Sequence, residues 1–121
     1  MRVELSKHYT FEAAHRLPNA PPGHKCQRLH GHSYRVEVTI AGEVEERAGW
    51  LVDFADITAV VEPLLKRELD HRTLNDVPGL ENPTAEVLCA WLWNRLKPGL
   101  PLLSAITVHE TCAARCTYRG A

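Results

Sequence analysis

Two stretches of this chain alternate apolar and polar residues with a period of two, and both carry histidines on the apolar parity. In the first, Val3, Leu5, Tyr9, Phe11 and Ala13 share one face, broken only by Lys7, and His15 continues it. In the second, Tyr34, Val36, Val38 and Ile40 face one way, and Arg35, Glu37 and Thr39 the other. Extended backwards, that apolar face takes in His32 and His30. Successive side chains of a strand leave opposite faces, so each pattern predicts a half-buried strand. One face of the resulting sheet must be covered.

Helices are available to cover it. Ile57, Val60, Val61, Leu64 and Leu65 recur at helical spacing within 56–69, and Pro63 predicts a kink or break there. A second helix is expected over 85–96, with Val87, Leu88, Trp91, Leu92 and Leu96 as its buried stripe. Asn82 is placed to cap it, with Pro83 at its first position. Residues 50–54 read as a short strand. Residues 104–111 alternate again, and 114–119 pair naturally with them as a hairpin. Strand, strand, two helical segments, strand, strand describes an α+β chain with helices packed on an antiparallel sheet. The Pro/Gly clusters at 18–23, 78–79 and 98–101 read as loops and not as domain linkers, because the pieces between them are too short to fold alone. Residues 1–121 are therefore expected to form a single domain.

The overall balance excludes some partners. Lys and Arg number 14 against 15 Asp and Glu, a net charge of −1, so neither a nucleic-acid groove nor a polybasic membrane surface is expected. Charges interrupt the first residues, which rules out an apolar signal core, and no run approaches the roughly 18 apolar residues of a membrane span. Cys26, Cys89, Cys112 and Cys116 show no paired C-x-x-C spacing and no disulfide framework. A reducing cytoplasm is the expected compartment.

The strongest local signal is CQRLHGH at 26–32. Residues two apart on a strand project to one side, so His30 and His32 can share a metal, and Gly31 leaves room for a backbone or a substrate. His15 arrives from the other strand on the matching parity. Three imidazoles with an open fourth position form the catalytic zinc pattern. The competing reading of His-x-His is a solvated surface pair. Cys26 lies beside Lys25 and near Arg28, where a lowered thiol pKa would make a base or nucleophile; a fourth zinc ligand or an inert core thiol are the alternatives. Cys89, Cys112 and Cys116 are assigned to packing. Asp70 beside His71 can orient an imidazole, although neighbours in sequence meet only on an irregular backbone. Glu110 shares the apolar parity of Ile106 and Val108, so it needs inward-facing donors, either from a ligand or from an internal Arg.

Taken in order, FEAAHR at 11–16, CQRLHGH at 26–32, LDH at 69–71, ENPTAE at 81–86, ET at 110–111 and YRG at 118–120 resemble the 6-pyruvoyltetrahydropterin synthase family. The spacing of Cys26 to His30 is similar to that of its bacterial, 6-carboxytetrahydropterin-forming branch in the queuosine pathway. The resemblance implies a tunnelling fold, with a four-stranded antiparallel sheet, two helices on one face, and trimers that stack as hexamers. It implies a lyase with one zinc ion per subunit on His15, His30 and His32. The implied substrate is 7,8-dihydroneopterin triphosphate, and the products are 6-carboxytetrahydropterin, acetaldehyde and triphosphate. Cys26 would be the base and His71, oriented by Asp70, the proton relay. Glu110 would anchor the pterin, with Pro83 and Thr84 lining its pocket. His24, Lys25 and Arg28 are candidates for the triphosphate by charge and location alone. Asp70 and His71 would serve a zinc site completed by a neighbouring subunit. The alternatives are a 6-pyruvoyl synthase on the same scaffold, a non-catalytic pterin- or metal-binding module, and an unrelated zinc hydrolase using Glu110 as base.

Overall fold

The computed structural model describes residues 1–120. Its frame is one long hairpin. Strand β1 (Arg2–His15) and strand β2 (His30–Glu43) pair antiparallel along their whole length, from Arg2 opposite Glu43 to His15 opposite His30. The alternation works as expected: Tyr9, Phe11, Ala13 and His15 on β1, and Tyr34, Val36, Val38 and Ile40 on β2, are buried.

Helix α1 (Phe54–Leu64) covers this sheet with Ile57, Val61 and Leu64. It starts two residues earlier than the apolar spacing suggests, because Asp53 caps it by accepting from the Ala55 N–H at 2.9 Å. Pro63, which has no N–H to donate, lies in its last turn, and the regular α-helix gives way one residue later, at Leu64. Downstream of that missing N–H, residues Leu65–Leu69 continue as a π-helical turn, closed by the Asp70 N–H donating to the Leu65 carbonyl at 2.8 Å. Residues 50–54 form no strand. There Glu45 and Trp50 close a turn, and the chain bends through Leu51 and Val52 to reach the Asp53 cap.

The sheet corrects the expected architecture. A two-residue strand, β3 (Arg72–Thr73), runs parallel to β1 beside Ala13 and Ala14. With β4 (Leu103–Thr111) and β5 (Ala114–Tyr118) the sheet has five strands in the order β3-β1-β2-β4-β5, and is mixed rather than purely antiparallel. Two residues are too few to carry a period, so β3 leaves no pattern in the sequence.

Helix α2 (Ala85–Leu96) packs on β4 and β5 through Leu88, Cys89, Leu92 and Leu96; Val87 and Trp91 are only half-buried. Its cap is Thr84, whose hydroxyl accepts from the Val87 N–H at 3.1 Å, not Asn82. Pro83 falls one residue outside the cap, and the Asn82 Oδ1 is buried without a hydrogen-bond partner. No helix among the described residues is long and apolar enough to cross a membrane.

Candidate metal centre and active site

The hairpin register brings the histidines together at one end of the sheet. His15 ends β1, His30 starts β2 directly opposite, and His32 follows on the same face. One ligand nitrogen from each lies within 4.8 Å of the others, and the Nε2 atoms of His15 and His30 are 3.0 Å apart. The rings meet edge to face, which points several nitrogens at one volume instead of stacking them.

Backbone carbonyls set two of the three tautomers. His15 Nδ1 lies 2.9 Å from the Pro83 carbonyl, and His30 Nδ1 lies 2.8 Å from the Arg28 carbonyl. A carbonyl only accepts, so each Nδ1 carries the proton and each Nε2 keeps its lone pair for an electrophile. His15 is 1% exposed, and burial pushes its pKa below the ordinary value, which favours the neutral imidazole that a metal requires. Three imidazole nitrogens converging from separate backbone positions fit a divalent ion of the zinc class.

Glu110 joins this cluster. The β4–β5 register shifts between His109 and Thr111, and such a bulge re-aims the side chain at the step. The Glu110 Oε1 sits 3.4 Å from His15 Nε2 and 3.9 Å from His32 Nε2. The inward parity thus meets imidazoles, and no internal Arg partner is present among the described residues. Glu110 also lines a cleft of about 360 Å³ with Glu86, Arg115 and Cys116.

Asp70 and His71 form the pair that an irregular backbone permits. His71 takes φ 59°, and its Nδ1 lies 3.0 Å from the Asp70 Oδ2. Glu12 brackets both residues: its N–H donates to the Asp70 Oδ1 at 2.9 Å, and its carbonyl accepts from the His71 N–H. That N–H bond, and then the His71 ring, hold the Asp70 carboxyl below its usual range. His71 is 79% exposed and shares a cleft of about 480 Å³ with His32 and Gly31. A Cβ on Gly31 would meet the Ala13 backbone carbonyl at 3.6 Å, an ordinary contact, so the backbone there does not demand glycine.

Cys26 stands apart from the three-histidine group. It is half-buried in a 3-10 turn (Lys25–Gln27), where its N–H donates to the His24 Nδ1 and its carbonyl accepts from the Leu17 N–H. Lys25 and Arg28 are exposed and their side chains make no hydrogen bond among the described residues. Thr84 is taken up by capping α2, and Pro83 by His15. Of the cysteines assigned to packing, Cys89 is fully buried, with its thiol pushed up to about 12, and Cys116 is half-buried. Cys112 is exposed in the β4–β5 turn, because the hairpin places it outside the core. The orienting carbonyls of Arg28 and Pro83 were invisible in the sequence, since any residue has a carbonyl.

Known proteins match this chain over almost its whole length. The family model described as 6-pyruvoyl tetrahydropterin synthase matches residues 4–121. A 6-carboxy-5,6,7,8-tetrahydropterin synthase of Synechocystis is 42% identical, across 94% of this chain and 91% of that protein. The human 6-pyruvoyl tetrahydrobiopterin synthase is 31% identical, across 98% of this chain and 92% of that protein. The structure of the Caenorhabditis elegans 6-pyruvoyl tetrahydropterin synthase superposes with a TM-score of 0.91 at 28% identity, covering 100% of this chain and 97% of that one.

Proposed function

Because this chain belongs to the 6-pyruvoyl tetrahydropterin synthase family, we propose that it is a 6-carboxytetrahydropterin synthase. It converts 7,8-dihydroneopterin triphosphate and water to 6-carboxy-5,6,7,8-tetrahydropterin, acetaldehyde and triphosphate, on the route to 7-deazaguanines such as queuosine. The observation that carries this reading is the likeness to the Synechocystis synthase over nearly the full length of both proteins.

The site is consistent with that chemistry. A zinc ion on His15, His30 and His32 would polarise the side-chain oxygens of the substrate. Glu110 accepts the ring N–H and exocyclic amine of the pterin; its nearness to His15 and His32 supports a pterin bound beside the metal. Pro83 and Thr84 form the wall behind it. Cys26 takes a proton from the substrate side chain, and His71, held by Asp70, relays one. Lys25 and Arg28, on the exposed loop, meet the triphosphate. The working enzyme is a cytoplasmic homo-oligomer, a trimer or a stacked pair of trimers.

The test is to supply dihydroneopterin triphosphate to the metal-loaded protein and identify every product. Acetaldehyde and triphosphate in step with 6-carboxytetrahydropterin are expected. Triphosphate with a pyruvoyl side chain retained on the pterin would instead make this chain a 6-pyruvoyl synthase.

A further inference from the structure

Tyr34 is a core residue whose hydroxyl has no part in the chemistry proposed for the site. It is 1% exposed on β2, two residues beyond His32 on the same face. Across the hairpin it pairs with Phe11, and the two rings stack at 5.0 Å with 11° between their planes. The next residue towards the site on that face of β1 is Ala13, whose side chain is too short to fill the space between Phe11 and His15. Side chains on a strand lean along its axis. Tyr34 leans into that space, and its Oη lies 3.0 Å from the His15 Nδ1. Its ring also meets His15 and His32 edge to face, at 5.8 and 5.4 Å.

His15 Nδ1 therefore faces two oxygens, the Pro83 carbonyl at 2.9 Å and the Tyr34 hydroxyl at 3.0 Å. Since the carbonyl cannot donate, the proton sits on Nδ1, and the hydroxyl oxygen takes a share of it in a three-centre bond. We propose that Tyr34 is a positioning residue of the metal centre: with the tautomer set by the Pro83 carbonyl, its hydroxyl holds the ring plane of His15 that presents Nε2 to the ion. The inference rests on the three-histidine reading. A phenylalanine here would keep the stack on Phe11 and the edges towards His15 and His32, and would lose only the hydroxyl. Outer partners of a metal-bound histidine typically matter about 10- to 100-fold in metal affinity.

The experiment titrates Co(II) into metal-free wild type, Tyr34→Phe and His30→Ala, following the d–d absorption and competing with a chromophoric chelator. Thermal unfolding of each metal-free form is recorded alongside. Expected are one Co(II) per wild-type chain, no such site in His30→Ala, and an unchanged metal-free melt for Tyr34→Phe. That variant should bind Co(II) about tenfold more weakly, with shifted d–d bands. Equal affinity and identical bands would leave Tyr34 a packing residue and overturn the inference. Absence of a Co(II) site in the wild type would instead overturn the three-histidine reading and this inference with it. Should Tyr34→Phe not fold, the 15N imidazole spectrum of the zinc-loaded wild type decides. A His15 Nδ1–H protected from exchange, and in contact with the Tyr34 ring protons, supports the proposal. Metal on Nδ1, or a rapidly exchanging proton there, overturns it.

Discussion

His15 shows how much of the site depends on one side chain being neutral. Burial lowers its pKa, so the unfolded chain binds a proton near the ordinary value of about 6.5, while the folded chain binds it only at lower pH. Between those values unfolding takes up a proton, and stability rises with pH. The contribution of His15 is thus fully present above about pH 6.5 and is lost as the pH falls through the folded value. Urea unfolding of metal-free wild type and His15→Gln, from about pH 8 to about pH 5.5, should show the steeper loss in the wild type. Parallel curves would mean that His15 is not the group being titrated. Cys26 poses a different question, because it lies outside the three-imidazole cluster. A thiolate in the fourth position would close a site that a substrate must enter. Cys26→Ala should keep its metal and its melting point and lose roughly 10²–10⁴-fold in turnover, as for a missing general base. Metal content measured beside activity checks this; loss of zinc with the thiol would make Cys26 a ligand.

At the scale of elements, the start of α2 does two jobs within three residues. Thr84 closes the helix with its hydroxyl, and Pro83 turns its carbonyl to His15. A Thr84→Ala variant should lose about 1 kcal/mol of stability, the usual worth of a cap. Asn82→Ala should lose none on that account, because the Asn82 Oδ1 has no partner to forfeit. Denaturant midpoints of the two variants distinguish them, and a larger loss for Asn82→Ala would return the cap to Asn82. The end of α1 is built in the same spirit. The π turn after Pro63 delivers Asp70 and His71 to the backbone of Glu12, so a helix terminus and a strand end jointly fix the orientation of that pair. The bidentate contact of Arg95 with Glu68 ties α2 to this turn.

For the molecule as a whole, the placement of His71 is the open feature. It is 79% exposed, yet it shares a cleft with His32 of the three-histidine cluster. We expect this cleft to be completed by a second copy, with Asp70 and His71 of one chain serving the metal centre of another. Inactive Cys26→Ala chains mixed with inactive His71→Ala chains should then recover part of the activity once subunits have exchanged. Mixed assemblies demonstrated by mass that remain inactive would show that each chain carries its own complete site.

Sequence alone determined the paired strands, the two helices and the three histidines. A strand writes its buried face into every second residue, and a helix into every third or fourth, so parity alone put His15, His30 and His32 on one side. Alternation also put Glu110 on the inward parity, where a carboxylate needs donors. Tertiary structure decided the rest. Strand β3 is too short to have a period. The cap passed from Asn82 to Thr84 because the helix begins at Ala85, two residues after Pro83, a difference no propensity resolves. The carbonyls of Pro83 and Arg28 that set the histidine tautomers belong to the backbone, which has the same chemistry at every position, so only the folded path of the chain could select them. Tyr34 looked like one more residue of a buried stripe. Its hydroxyl became part of the site only when Ala13, on the neighbouring strand, left it the space to reach His15.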